Sequence, residues 1–218
     1  MPGPFDPAIA DLPALLPVFP LTGVLLLPRG RLPLNIFEPR YLAMTRHALG
    51  HGRMVGMIQP QDGQGDAGDP PLYRTGCTGR IAEFRETDDG RYHITLVGGA
   101  RFDIAAEPPR HELFRIVAAD WSRYHGDLAA GTTELDRDRL VAALKPFFRH
   151  HSITADLAAI AAAPADRLVT SLSMLCPFAP SEKQALLEAA TGTERAKLLI
   201  TLMEMSAMSG GEGDGARH

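Results

Sequence analysis

Ser181 and Lys183 are the residue types that most directly suggest catalysis. A serine activated by a lysine can attack an amide bond, but only where the two side chains lie within hydrogen-bond reach. Residues two apart on a helix do not face each other. Ser181 with Gln184 instead matches the spacing of a capping box at a helix start. We therefore predict that Ser181 is a cap and that this pair is not catalytic.

His47 and His51 are four residues apart, a spacing that can chelate a metal ion from one face of a helix. No third ligand is evident in the sequence, and Gly50 is predicted to end the helix between them. Histidines near a helix C-terminus are also favoured by the helix dipole, and we prefer this interpretation here and at His150-His151. The sequence predicts neither a metal site nor a bound cofactor.

Glu38 and Arg40 are charged residues within a largely apolar run. A carboxylate buried in such a run needs a charged partner. We expect the Glu38 carboxylate to lie within hydrogen-bond reach of Arg40 or Arg101. Such a pair would either join a helix to the neighbouring strands or contact a ligand.

Other common catalytic signatures are absent from the sequence. No lysine follows a glycine, so the G-x-x-x-x-G-K-[ST] phosphate loop is missing, and Gly98-Gly99 precedes a predicted strand rather than a helix. The G-x-S-x-G elbow of serine hydrolases is missing too. We predict a protein that is not an enzyme, with an uncharacterised hydrolase or protease accessory protein as an alternative.

Composition narrows the class of partner. The 218 residues carry a formal net charge of −4, which argues against nucleic acid because a phosphate backbone attracts basic proteins. Binding of RNA or a small molecule stays open as an alternative. A local patch that could contact RNA would consist of Arg29, Arg31, Arg40 and Arg46.

The two cysteines, Cys77 and Cys176, are far apart and lack a C-x-x-C pattern, which is typical of free thiols in a reducing compartment. The N-terminus does not resemble a secretory signal. No apolar run approaches the roughly 20 residues that cross a bilayer. We expect a cytoplasmic protein that does not contact a membrane.

Residues 1–15 are rich in proline and small residues and are predicted to be a loose lead-in. Residues 16–126 predict short strands around one helix that begins at Glu38-Pro39 and ends at Gly50. We expect a buried strand at 24–27, a solvated loop at 59–71, and a hairpin turn at 88–90. Gly98-Gly99 is predicted to separate two strands. Six or more strands favour a closed or nearly closed small barrel.

Residues 127–208 predict a bundle of helices, followed by a disordered tail at 209–218. Thr133 is expected to cap a helix whose core residues include Leu144 and Phe147, and Pro146 is expected to kink or interrupt it. The predicted fold class is therefore α+β, with a β-rich domain before a helical one.

Three blocks carry a resemblance to a known family. They are P-x-F-P-L, V-L-L-L-P and L-P-L-N-I-F-E-P-R-Y within 17–41, D-G-R-Y-H-I-T-L-V-G-G-A-R-F-D-I at 89–104, and L-C-P-F-A-P-S-E-K-Q-A-L-L-E at 175–188. In this order they resemble the N-terminal, substrate-binding domain family of Lon proteases. Cys176-Pro177-Phe178 is bulkier than the family's proline turn.

The resemblance implies a PUA-like pseudo-barrel followed by a helical bundle, and it supplies no catalytic residues. It implies a non-catalytic module that binds unfolded or tagged polypeptides, works with a protease or chaperone, and associates as a homodimer. Because the chain ends at His218 without ATPase or peptidase signatures, it resembles the stand-alone bacterial members. Candidate peptide contacts, each with core packing as the alternative, are Pro33, Leu34, Phe37, Tyr41, Arg91 and Tyr92.

Overall fold

A computed structural model describes residues 9–61, 69–109, 113–129 and 131–209. The chain divides into two compact units, Met1–Ala130 and Gly131–His218. Within the described residues, the first unit contains six strands and one α-helix, and the second contains five α-helices. The predicted α+β class is confirmed. Most of the loop predicted at 59–71, and nearly all of the predicted tail, lie outside the described residues.

The first unit is built on one mixed sheet. Its strands are β1 (Leu15–Pro20), β2 (Arg31–Ile36), β3 (Met54–Ile58), β4 (Thr75–Glu86), β5 (Tyr92–Ala106) and β6 (Arg115–Asp120). Their order is β2-β5-β4-β3-β1-β6, and β6 also pairs with β5. This second pairing closes a ring of five strands, which is the predicted pseudo-barrel. Closure removes strand edges that would otherwise pair with other chains.

Strand β5 makes the closure possible because it is long. Its first half pairs with β2, from Tyr92 to Val97, and its second half pairs with β6, from Asp103 to Ala106. The prediction that Gly98-Gly99 separates two strands is wrong. The strand continues through both glycines, and an added Cβ on Gly98 would collide with the Leu27 carbonyl oxygen. The glycine thus permits a close backbone approach rather than a turn.

The prediction of a buried strand at 24–27 is also wrong. Leu25, Leu26 and Leu27 are at most 2% exposed, but the segment has no strand pairing. Gly23 and Arg29 flank it with φ values of +72° and +63°. These left-handed residues turn the chain at both ends, so the leucines fill the core without joining the sheet.

Helix α1 (Pro39–Gly50) has the bounds that its sequence predicts. Glu38 is its N-cap residue, Pro39 occupies the first turn, and the buried face includes Tyr41, Met44 and Ala48. Tyr41 stacks at a tilt on Phe19 of β1, with ring centroids 4.0 Å apart, and this contact packs the helix against the sheet.

The second unit contains α2 (Arg137–His150), α3 (Leu157–Ala162), α4 (Ala165–Leu175), α5 (Pro180–Glu188) and α6 (Gly192–Ser209). Helix α6 packs against α2, α4 and α5.

Two predicted caps are wrong. Asp136, not Thr133, caps α2 by accepting from the Arg139 amide, and α5 starts before Ser181 because Glu182 accepts from the Ala179 amide. Pro146 lies inside α2 without ending it.

Candidate functional site

An open groove lies on three neighbouring strands of the first unit and has a cavity volume of about 550 Å³. Its nine lining residues form three rows across β2, β5 and β4, as the strand register shows. In order, the rows are Pro33–Thr95–Glu83, Leu34–Ile94–Phe84 and Asn35–His93–Arg85.

The sequence builds this surface through the period of two of a β-strand. Side chains in successive rows point to opposite faces of the sheet, so the first and third rows share one face. In the middle row Ile94 is 3% exposed, and its side chain belongs to the core. The Gly90 φ of +79° completes the hairpin turn that brings β4 beside β5.

Strand β2 is an edge of the sheet. Among the described strands, its one hydrogen-bonded neighbour is β5. Pro33 is exposed in the middle of this strand. A proline is tolerated on an edge strand because the N–H that it lacks would face solvent and not a neighbouring strand. The rest of the open edge presents backbone groups that an extended chain can pair with.

Charges at one end of the groove are neutralised within it. The Glu83 carboxylate accepts from Arg31 and from the Thr95 hydroxyl, each at 2.7 Å. The Thr95 hydrogen bond and the Arg31 charge hold the pKa of Glu83 below its usual range. Glu83 is therefore fully ionised at neutral pH, and its charge is balanced by Arg31.

At the other end of the groove, Arg85 donates to Nδ1 of His93 at 2.8 Å. A guanidinium has donors only, so Nδ1 of His93 is the acceptor in this hydrogen bond. Among the described residues, no carboxylate lies within salt-bridge distance of Arg85. The groove thus carries one arginine whose charge is not balanced inside it.

Of the residues predicted to contact a peptide, Pro33 and Leu34 line the groove. Phe37 follows β2 directly and is 61% exposed, unusually high for a phenylalanine. These three side chains are accessible to a ligand. Their role as peptide contacts stays a prediction.

Tyr41 and Tyr92 are core residues instead. They are 4% and 5% exposed. The Tyr41 hydroxyl donates to the Pro20 carbonyl oxygen at 3.2 Å, while the Tyr92 ring meets Phe84 edge-on at 5.0 Å. Arg91 is exposed but lies at the hairpin turn, where it pairs with Asp89 at 2.9 Å, and it does not line the groove.

The predicted ion-pair residues separate into two sites. Arg40 donates to Glu38 at 2.9 Å, but both side chains are about one-third exposed and stand two residues apart, so this pair is not a buried link. Arg101 does not reach Glu38. It is buried and pairs with Asp127 at 2.8 Å.

All four arginines of the alternative patch contact neighbouring groups. Arg31 and Arg40 pair with Glu83 and Glu38. Arg46 donates to the Tyr92 hydroxyl, and Arg29 donates to the carbonyl oxygen of Ala129. Each of the four guanidinium groups therefore contacts a different partner.

The remaining candidates from the sequence are the histidines and the cysteines. His47 and His51 stack with ring centroids 4.3 Å apart, yet no group of three or more metal-ligating side chains exists among the described residues. Cys77 and Cys176 are buried free thiols. No helix in the described part of the chain has the length and apolar character needed to cross a bilayer.

Several groove residues were not predicted from the sequence: Asn35, Glu83, Phe84, Arg85, His93, Ile94 and Thr95. The Asp-Gly turn predicts a hairpin, so the proximity of Arg85 to His93 could have been found by counting back from the turn. Asn35 joins them through a pairing of β2 with β5 that no local pattern signals.

The described residues form a small closed sheet that carries an open groove, and a helical unit follows it in the chain. The chain matches the family model of the ATP-dependent protease La (LON) substrate-binding domain over residues 15–205, and it belongs to this family.

Curated relatives include the Lon protease of Anaeromyxobacter dehalogenans and Lon protease 2 of Myxococcus xanthus, each 28% identical over 95 residues. The matched segment is 43% of this chain but only 11% and 12% of those proteins, respectively. The similarity therefore concerns one domain of much longer proteins.

Solved structures show the same fold. A Lon N-terminal domain protein from Xanthomonas campestris has a TM-score of 0.60 at 22% identity, covering 86% of this chain and 97% of that one. The N-terminal domain of a Mycobacterium avium complex Lon protease has a TM-score of 0.60 at 15% identity, covering 87% and 97%.

Proposed function

We propose that this chain is a non-catalytic module that binds extended segments of unfolded or tagged polypeptide in the groove on β2, β5 and β4. The observation that carries the proposal is the position of the groove beside the open edge of β2, in a chain of a substrate-binding family. The relatives are named Lon proteases, so the bound segment would be handed to a protease or a chaperone in the cytoplasm.

The binding mode follows from the groove's two kinds of surface. Successive side chains of an extended segment point to opposite faces, so they can contact Pro33 on one face of the sheet and Leu34 or Phe84 on the other, where Phe84 is 40% exposed. The open edge of β2 can pair with the segment's backbone. Backbone pairing is independent of sequence, which suits a module that must accept many unfolded chains.

Calorimetry with an unfolded model protein tests this proposal. The probe is a disulfide-bonded protein that is held unfolded by reduction and carbamidomethylation of its cysteines. The same protein with its disulfides intact is the folded control. We expect micromolar binding of the unfolded form alone. Absence of binding at high micromolar concentration would overturn the proposal.

An Asn35→Trp variant locates the site. Asn35 is exposed in the groove, and a tryptophan there would fill it without disturbing the core. The matched control is Thr201→Trp on the exposed face of α6. We expect Asn35→Trp to weaken binding at least tenfold and the control to bind normally. Equal affinity of the two variants would place the site elsewhere.

A pair of aromatic truncations separates contact from core. Phe37→Ala should weaken binding with little loss of stability, since the ring is 61% exposed. Tyr41→Ala should instead lower stability by about 3 kcal/mol, as other buried aromatic truncations do. Equal destabilisation by both variants would show that Phe37 is a structural residue.

A further inference from the structure

The charge distribution in the groove indicates which polypeptide segments it prefers. On the face shared by the first and third rows, Glu83 is balanced by Arg31 at 2.7 Å. Arg85 lies on the same face two residues further along β4 and has no carboxylate partner among the described residues. Glu86 follows it, but side chains alternate along a strand, so Glu86 points to the other face.

His93 holds the Arg85 guanidinium in place. The hydrogen bond from one terminal nitrogen of Arg85 to Nδ1 of His93 measures 2.8 Å, and the two residues are directly opposite across the strand pair. A guanidinium has five N–H donors, so this bond leaves the others available. The planar fork matches the two oxygens of a carboxylate.

Resting on the proposed function, we propose that the groove selects extended segments in which an acidic side chain stands beside apolar ones. The carboxylate binds Arg85 on the face that Pro33 shares, and the apolar side chains on either side of it in the segment point to the opposite face, where Leu34 and Phe84 lie. The Arg31–Glu83 pair leaves no second unbalanced cation at the other end of the groove, so one carboxylate is favoured and a run of acids is not.

The expected preference is modest because the site is open to water. Hydrogen bonds to charged groups are worth more than neutral ones, but solvent and salt weaken exposed ion pairs. We expect a peptide with the carboxylate to bind about threefold to tenfold more tightly than its amide analogue at low salt. High salt should shrink this ratio, since added ions screen exposed charges.

Fluorescence anisotropy with two labelled nine-residue peptides tests the inference. The peptides share an alternating valine and threonine sequence and differ only at the centre, with glutamate in one and glutamine in the other. The wild-type protein should prefer the glutamate peptide. An Arg85→Gln variant should bind both peptides with the affinity that the wild type has for the glutamine peptide.

Two further variants complete the experiment. Lys197→Gln makes the same charge change on the exposed face of α6 and should keep the full preference. Arg85→Lys keeps the charge without the planar fork and should retain part of it. If Lys197→Gln loses the preference as Arg85→Gln does, the effect reflects net charge, and the role assigned to Arg85 is wrong.

The outcomes separate this inference from the proposed function. Equal binding of both peptides by the wild type would overturn the acidic preference while leaving polypeptide binding intact. If the unfolded protein binds but neither peptide does, the inference fails for short segments and is rejected. If neither the peptides nor the unfolded protein bind, the proposed function itself fails.

Discussion

Arg101 and Asp127 are joined at three points. Nε and a terminal nitrogen of Arg101 each donate to a different carboxylate oxygen at 2.8 Å, and the Arg101 amide donates to the same carboxylate at 3.0 Å. The side chains are only 5% and 11% exposed. Because Arg101 lies on β5 and Asp127 lies in the 3₁₀ segment Ser122–Leu128, the pair fixes the end of the first unit to its central strand.

Replacing Asp127 by alanine should destabilise the first unit by about 3 kcal/mol, because it leaves a buried guanidinium without its counter-ion. Urea unfolding followed by fluorescence of Trp121, the one tryptophan, measures this change. The double variant Arg101→Met, Asp127→Leu should recover most of the loss, since it leaves no buried charge.

The matched control is Glu204→Ala, which removes a carboxylate that likewise accepts two side-chain hydrogen bonds from one arginine, Arg139. Arg139 and Glu204 are 48% and 38% exposed, so solvent screens their attraction. The loss of stability caused by Glu204→Ala should be small beside that caused by Asp127→Ala. Similar losses from the two variants would contradict the role assigned to burial.

Gly98→Ala should destabilise the barrel by about 1–3 kcal/mol, the usual cost of overpacking a core. The new Cβ would collide with the carbonyl oxygen of Leu27 and would lie 2.8 Å from the carbonyl carbon. Gly126→Ala is the control, since nothing lies within 4 Å of its added Cβ, and it should be neutral or slightly stabilising. Chemical denaturation distinguishes the two. A neutral Gly98→Ala would mean that the 24–27 segment moves aside freely.

Helix α1 and Gly98-Gly99 show which features of this fold could be predicted from the sequence. Helix α1 was predictable because its start, its apolar spacing and its glycine end are local signals. Gly98-Gly99 carries the local signal of a break, but its real cause is the Leu27 backbone, 71 residues earlier in the chain. No local pattern distinguishes a glycine that turns the chain from one that admits a neighbour.

The groove shows the same limit. Pro33 and Leu34 were found because proline in an apolar run marks a strand edge. Tyr41 and Phe37 have similar sequence surroundings, but the helix turns Tyr41 inward and leaves Phe37 at 61% exposure. Glu83 and Arg85 belong to the site through strand register, which depends on the whole sheet.

Burial of Cys176 should make stability fall with pH in the alkaline range. Burial raises the pKa of this thiol to about 12, above its ordinary value near 9. Between pH 9 and 12 the unfolded chain loses the thiol proton and the folded chain keeps it, so unfolding is favoured by up to about 1.4 kcal/mol per pH unit. The stabilising contribution of the thiol is present below pH 9 and is lost above it.

Urea unfolding of the wild type and Cys176→Ala from pH 8 to 11 measures this slope. The variant should lose a constant amount of stability from the missing side chain but should show a flatter pH dependence. Burial lowers the pKa of nearby Lys183. This shift makes stability rise with pH, and it is present in the wild type and in the variant. Parallel pH profiles would show that Cys176 does not titrate as proposed.

Pro146→Ala should stabilise the second unit by about 1–2 kcal/mol. Pro146 is exposed inside α2, where a proline removes one backbone hydrogen bond and crowds the preceding turn at a cost of about 3 kcal/mol. Against this, the proline restricts the unfolded chain, a benefit of about 1 kcal/mol that alanine forfeits. Restoring the helix should therefore outweigh the lost restriction. Thermal unfolding should show a higher midpoint for Pro146→Ala, whereas Lys145→Ala, one residue earlier and also exposed, should leave it nearly unchanged. A lower midpoint for Pro146→Ala would mean that α2 already accommodates the proline without strain.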